Sequence, residues 1–460
     1  MTYGATYGAL YGLAGDDPTI LPVLPQIIVE AGLVPDAPAG QASTALRLDD
    51  VTFGLLNTGT LGTNITWTDI SQWVIRFTVT RPSTRQQGPL WQYQAGTVSI
   101  TLDNSDGRFD PDNLAGPYVS AGITQLTAMV PVRVRSSFAS VAYSQYSGFA
   151  DGWIPGDVTY EGGYAEITLP GTDAFKILAG IVLPTVGTEG VGAGTGSRVN
   201  DILNRAGWYT SAEWRAVGAG SSSLQGTTLG DYALSLLQVA VDSEIGQLYV
   251  SSSGAVTFRG RHQILTDTRS NTVQAVFGDL PGTSHTAGTE LACAVVSRAS
   301  DDTTIANDIQ ATRAGGSLQE VQDAASIQTY LFPRTYARTD LIVQTDADAL
   351  NWAGWVLYIS RGGEDRIESV QIDPAADPYS LWPQVLGREI GDRIQIWHRP
   401  ASVATPISKD CFIAGITHAW DSVASTWLTT WTLQDATKYG SWLTLDNPTL
   451  GQLNSNALAY

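Results

Sequence analysis

Four stretches between residues 46 and 178 alternate apolar and polar residues with a period of two: 73–81 (WVIRFTVTR), 96–104 (GTVSITLDN), 131–138 (PVRVRSSF) and 164–170 (YAEITLP). A strand places successive side chains on opposite faces, so this period predicts strands and excludes helices there. In PVRVRSSF, Val132 and Val134 point one way while Arg133 and Arg135 point the other. That is a half-buried strand of an antiparallel sheet or small barrel. The same period returns at 392–400 (DRIQIWHRP), 409–421 (KDCFIAGITHAWD) and 426–435 (TWLTTWTLQD), predicting a second barrel of about the first one's size.

The middle of the chain has a helical period instead. Residues 197–208 carry a Ser cap and apolar Val199, Ile202 and Leu203, and residues 229–244 place Leu234, Leu237 and Val241 on one side. A Gly/Ser loop at 218–226 separates them, and a hairpin over 247–261 turns at Ser252 to Gly254. Further on, AVVSRAS, NDIQATR and DLIVQTD read as strands before one clear helix from Asp346 to about Ser360. Asp346 and Asp348 sit at its positive end, where carboxylates are favourable.

The expected fold is mainly β with an α+β insert: two antiparallel β-barrel-like domains, a small α/β insert and extended arms. Expected boundaries are an N-terminal Tyr/Gly/Pro-rich arm over 1–45, a first barrel over 46–180, the insert over 181–275, a second barrel with one helix over 276–440, and a C-terminal docking tail over 441–460. The arm repeats Tyr-Gly at Tyr3, Tyr7 and Tyr11, and Pro18, Pro22, Pro25, Pro35 and Pro38 follow. Prolines at that density argue against a regular helix or central strand. Apolar Ile20, Leu21, Leu24, Ile27, Ile28 and Leu33 argue for an arm that orders against a neighbour rather than a solvated tail.

The 44 acidic residues outnumber the 25 basic ones, a net charge of −19. This argues against sequence-independent nucleic-acid binding and against docking on an anionic membrane. No apolar run reaches the roughly 18–20 residues that span a bilayer, and the first basic residue is Arg47, so no signal peptide or membrane insertion is expected. Cys293 and Cys411, the two cysteines, read as buried small hydrophobes.

No motif recommends chemistry. The acidic run at 101–113 (TLDNSDGRFDPDN) invites a calcium-loop reading. Setting Gly107 at the sixth position of an EF-hand, however, puts Leu102 at the first and Asn113 at the twelfth, where oxygen ligands and Glu belong. A strand end followed by Asx turns fits better. Residues 190–196 (GVGAGTG) match neither phosphate-loop template and read as a linker. His262, His285, His398 and His418 show no metal-ligand spacing; His398 and His418 fall on predicted strands and would be neighbours if one sheet pairs them. Ser284 lacks the second glycine of a nucleophile elbow. Carboxylates are plentiful, so a glycosidase pair stays open, but no stretch favours one. Of the 14 tryptophans, Trp73, Trp352, Trp397, Trp427 and Trp431 sit in core-facing patterns, with a glycan-stacking surface as the alternative. No catalytic residue, metal site or cofactor is expected.

Residues 101–113, followed by 130–138 (VPVRVRSSF), 146–155 (YSGFADGWIP) and 169–178 (LPGTDAFKIL), resemble minor tail proteins of long-tailed, siphovirus-type phages of actinobacterial hosts. The two-barrel layout with its insert is similar to the tail-tip, or baseplate, hub of that group. The resemblance implies a structural virion component at the tail tip, assembled in the host cytoplasm and not an enzyme. It implies a homo-oligomer, a trimer, whose six barrels match a six-fold tail tube above and three-fold adhesins below. Its implied partners are the distal tail protein, the tape measure protein and other minor tail proteins, with DNA passing through without specific binding. Two alternatives stand beside it: a hexameric distal tail ring protein, and a glycan-binding or cell-wall-degrading tip protein.

Overall fold

The computed structural model describes residues 24–33, 65, 67–85, 89–120, 122–156, 165–185, 190–401 and 404–440. The Tyr-Gly repeats and the expected tail over 441–460 lie outside the described residues.

The first lobe comprises β1 (Gln26–Ala31), β2 (Val74–Arg81), β3 (Thr97–Asp103), β4 (Pro131–Phe138), β5 (Val141–Ala150) and β6 (Glu166–Thr172). They pair antiparallel in the order β2-β3-β6-β5-β4-β1. The segment entering β2 then returns to β1: Ile70 N donates to Val29 O at 2.9 Å, and Val29 N donates to Ser71 Oγ at 2.8 Å. The row thereby curls into a barrel-like lobe around Val79, Ile100, Val132, Val134 and Ile167, all fully buried. Strand β1 lies within the segment expected as an arm. Pro25 and Pro35 bracket a nine-residue stretch free of proline; within it β1 pairs with this chain's own β4, and Val29, Ala31 and Leu33 are fully buried.

The insert follows as α1 (Ala174–Gly180), α2 (Thr195–Arg205), β7 (Arg215–Val217), α3 (Ala233–Glu244), β8 (Gln247–Val250) and β9 (Val256–Arg259). Helix α2 begins two residues before the predicted Ser cap, with Gly194 at the cap position and Ser197 inside the helix. Its buried face carries Val199, Ile202 and Leu203, the period the sequence displays. Helix α3 starts at Ala233 rather than Leu229.

The second lobe comprises β10 (Val276–Gly278), β11 (Gly288–Ala292), β12 (Val295–Asp301), β13 (Asp308–Arg313), β14 (Thr335–Leu341), α4 (Asp346–Ser360), β15 (Glu364–Ile372), α5 (Pro378–Gly387), β16 (Arg393–His398), β17 (Ile407–Asp421) and β18 (Thr426–Asp435). Its row runs β11-β10-β16-β17-β18-β15-β12, and β11 and β12 are joined by Cys293 and Ala294 alone. In contrast to the all-antiparallel expectation for this lobe, the short β10 runs parallel to both neighbours. Strands β13 and β14 form a separate small sheet under α4. A capping box of Thr345 and Asp348 starts α4, which matches its predicted span.

One strand unites the lobes. Along one edge, β17 pairs with β16 over Ile407 to Phe412 and then with β2 over Ile416 to Asp421, while β18 runs along the other edge. The change of partner falls at Gly415, beside a bulge, where a Cβ would stand 3.1 Å from the Arg81 carbonyl oxygen. A larger residue here would have to push the Arg81 backbone aside by a few tenths of an ångström, so the close approach favours glycine. The fold is therefore mainly β, with both lobes in one hydrogen-bonded sheet.

Candidate functional site

The acidic loop after β3 is built from its own side chains. The Asn104 side chain is buried and its Oδ1 accepts the Phe109 N–H at 2.8 Å. Asp103, Asp106 and Asp110 each accept the N–H two residues on, the Asx pattern that turns a chain. Gly107 takes φ +69°. The loop's purpose is to insert Phe109, fully buried, between Tyr118 (5.6 Å, 20°) and Trp153 (5.9 Å, 7°). Arg108 lies 4.0 Å over the Trp73 ring. The carboxylates are engaged in turns, and among the described residues no group of three His, Cys, Asp or Glu side chains is placed to hold a metal ion. Asn104→Ala, which strands the buried Phe109 N–H, is expected to cost about 1–3 kcal/mol in urea unfolding.

The glycine-rich segment at 190–196 is likewise occupied by protein. Arg198, buried in α2, donates to the carbonyls of Gly190 (3.1 Å) and Gln225 (3.0 Å). Glu244 fills the neighbouring Gly/Ser loop, accepting from Ser221 N, Ser222 N and Thr195 Oγ1 at 2.7–2.8 Å.

His398 and His418 are not neighbours. His398 pairs with Ile407, eleven residues along β17 from His418. Instead His398 and His285 flank one cluster at the rim of the second lobe. Arg399 donates to Glu290 at 2.8 and 2.7 Å and to Asp279 at 2.6 Å; His285 Nε2 meets Glu290 Oε2 at 2.8 Å. His285 stacks on Trp397 at 4.1 Å. Leu280 N completes the Glu290 shell at 2.7 Å. Burial alone would raise the Glu290 carboxyl, but Arg399 and His285 hold it below its ordinary value. All its acceptor positions are engaged and its protonation is opposed, so it is poorly suited to general acid or base work. His262 is exposed on the insert, away from these. Ser284 is exposed and shares a two-residue strand with the half-buried His285. Burial pushes the Cys293 thiol up to about 11 and Cys411 well above its ordinary value, leaving both poorly reactive.

The constellation that sequence reading missed joins all three parts of the chain. Arg81, at the end of β2, pairs with Glu389 in the loop before β16. The other Glu389 oxygen accepts the Ser252 N–H of the insert hairpin at 3.0 Å. Beside it, Asp392 receives Arg269 at 2.6 and 2.5 Å and the Glu389 N–H at 3.1 Å. Burial would raise Glu389, yet Arg81 and the backbone N–H groups of Ser252 and Ile390 hold it low. No local pattern signals these pairs, since Arg81 and Glu389 stand 308 residues apart.

His418 adjoins this junction, fully buried, with Nδ1 2.9 Å from Thr429 Oγ1. Burial and then the Arg81 cation depress its pKa to about 3. The unfolded chain takes a proton near pH 6.5 and the folded chain only near 3, so stability falls as pH drops through that window. Between pH 6.5 and 5, wild type is expected to lose about 2 kcal/mol that His418→Gln does not lose. Urea midpoints across that range check it.

No protein-family model matches the chain, and no curated protein matches it. Among solved structures it is similar to a tail protein from Neisseria meningitidis, at 11% identity over 81% of this chain and 95% of that one, with a TM-score of 0.49. It is also similar to the 43 kDa tail protein of prophage MuSo2 from Shewanella oneidensis, at 12% identity over 80% and 95%, with a TM-score of 0.46. A third is an E. coli protein described as a component of the type VI secretion system with similarity to bacteriophage tail proteins, at 10% identity over 80% and 74%, with a TM-score of 0.39.

Proposed function

We propose that this chain is a structural protein of a phage tail tip, the hub that joins a six-fold tube to three-fold tip proteins. The observation that carries the reading is the fusion of two barrel-like lobes through β17. A chain with two such lobes on a shared sheet presents two ring-forming units in fixed relation, so three copies supply six. A distal ring protein needs one unit per chain. The motifs at 101–113 and 130–138, which resemble minor tail proteins, form the plugged end and a wall strand of the first lobe, which accounts for them without chemistry. The partners are then the distal tail protein, the tape measure protein and the adhesins. An acidic surface lets DNA pass without adhering.

Light scattering of the purified chain over a concentration series tests the assembly. A trimer is expected. A hexamer would favour the distal ring protein, and a monomer at every concentration would remove the self-assembled ring.

A further inference from the structure

Strand β12 is an open edge. The row of the second lobe ends there: Val295–Asp301 pairs with β15 on one side, and among the described residues no strand pairs with the other. Its seven residues are exposed or half-buried, with Val295 54% exposed. An edge of that length presents unpaired N–H and C=O groups that invite a further strand, and folds commonly blunt it with proline, lysine or a bulge. The stretch VVSRASD has neither residue, and the register shift at Ser297 and Arg298 puts the extra residue, Glu368, on β15. Strand β14 also has a single partner, but the insert covers it: Arg338 reaches Asp242 of α3 at 3.0 Å, and Ile342 N donates to Ser243 Oγ at 3.0 Å.

The segment that follows Gly440 starts close by. Thr432 of β18 is level with Ser369 of β15, which is level with Ser297 of β12, two strand spacings or about 10 Å away. Past the end of β18, Lys438 Nζ donates to the Ile359 carbonyl at 2.8 Å, and the Tyr358 hydroxyl donates to the Lys438 carbonyl at 3.3 Å. The next carbonyl of α4, that of Ser360, accepts Ala306 N at 3.0 Å, five residues past Asp301. Residues 441–460 therefore begin toward the Asp301 end of the edge. Twenty extended residues reach up to about 66 Å, and an edge of seven is about 23 Å long. Their composition suits a covered segment: Asp446 is the one charged side chain, beside Trp442 and five leucines. The edge asks for no charge, since Arg298 pairs with Asp365 and Asp301 with Arg366. The residues ahead of β1 are poorly placed to reach it, because β1 lies at the far end of the first lobe's row.

We infer that residues 441–460 of the same chain add to the free edge of β12 as an antiparallel strand, entering at Asp301 and running toward Val295. Main-chain hydrogen bonds supply such a contact with little demand on side chains. It lies within one chain and does not depend on the hub role.

Hydrogen exchange resolved to single amides compares the full-length chain with one ending at Gly440, and thermal melting shows that both fold. In the full-length chain, the amides of 295–301 that point away from β15 are expected to exchange at least about tenfold more slowly. A synthetic peptide of residues 441–460, added to the shortened chain, is expected to restore that protection. Should the shortened chain not fold, Leu450→Pro/Leu453→Pro in the full-length chain replaces it, since proline cannot donate to a ladder. Equal exchange in the full-length and altered chains overturns the inference and leaves the edge open. Protection that fades on dilution also overturns it, and assigns the added strand to a second copy.

Discussion

Glu389→Ala is expected to cost about 3–5 kcal/mol of folding free energy, because it leaves a buried cation unpaired. Arg81 is 4% exposed, and its guanidinium sits where the first lobe, the insert and the second lobe meet. Removing the carboxylate also strands the N–H groups of Ser252 and Ile390. A buried ion pair is weak evidence for net stability, but breaking one side is costly, since desolvation of the survivor is no longer offset. Arg81→Met/Glu389→Leu should therefore lose less than the two single changes summed, a coupling readable in a double-mutant cycle. Urea midpoints with an unchanged slope are the measurement. A loss below about 1 kcal/mol, the size of an exposed pair, would show that the junction does not lock the three parts.

Trp427→Ala is expected to cost a similar amount, about 3–5 kcal/mol, through a cavity rather than a charge. Trp427 is 4% exposed and stands between the lobes: Phe77 of β2 packs edge-on at 5.5 Å, and Trp382 of α5 packs edge-on at 5.5 Å. The row extends to Trp420 on one side, 5.4 Å from Phe77, and to Phe138 of β4 on the other, 6.3 Å from Trp382. These aromatic contacts run from one lobe to the other beside the β17 hydrogen bonds. The variant should unfold at lower urea, with the lobes separating as distinct transitions if this seam is what couples them. A single transition with wild-type midpoint would assign the coupling to β17 alone.

The strands with strict alternation were legible to within about two residues at their ends. Period two is a local property, and both faces of β4 obey it: Val132 and Val134 fill the core, while Arg133 and Arg135 meet Glu30 of β1 at 2.6 and 2.7 Å. Helix α4 was equally plain, because Thr345 and Asp348 cap it. Three of the elements that local patterns missed show why. Strand β1 lies between prolines that read as a breaker cluster. Strand β5 carries a bulge between Ser144 and Tyr146 that destroys alternation. Helix α5 contains Pro383, yet Asp377 caps it, Pro378 opens it, and Leu381, Trp382, Val385 and Leu386 are buried. The lobe junction was not legible at all. Which of 25 basic residues meets which of 44 acidic ones is decided by strand order, and strand order leaves no local trace.

The proposed hub role turns on where the chain stands in a tail and how many copies stand there. Electron cryomicroscopy of purified tails that carry it measures both. The account predicts three copies in a ring at the distal end, their lobes alternating as six units around the channel. Six copies, each with a single lobe in the ring, or density for this chain anywhere other than the tip, would contradict it.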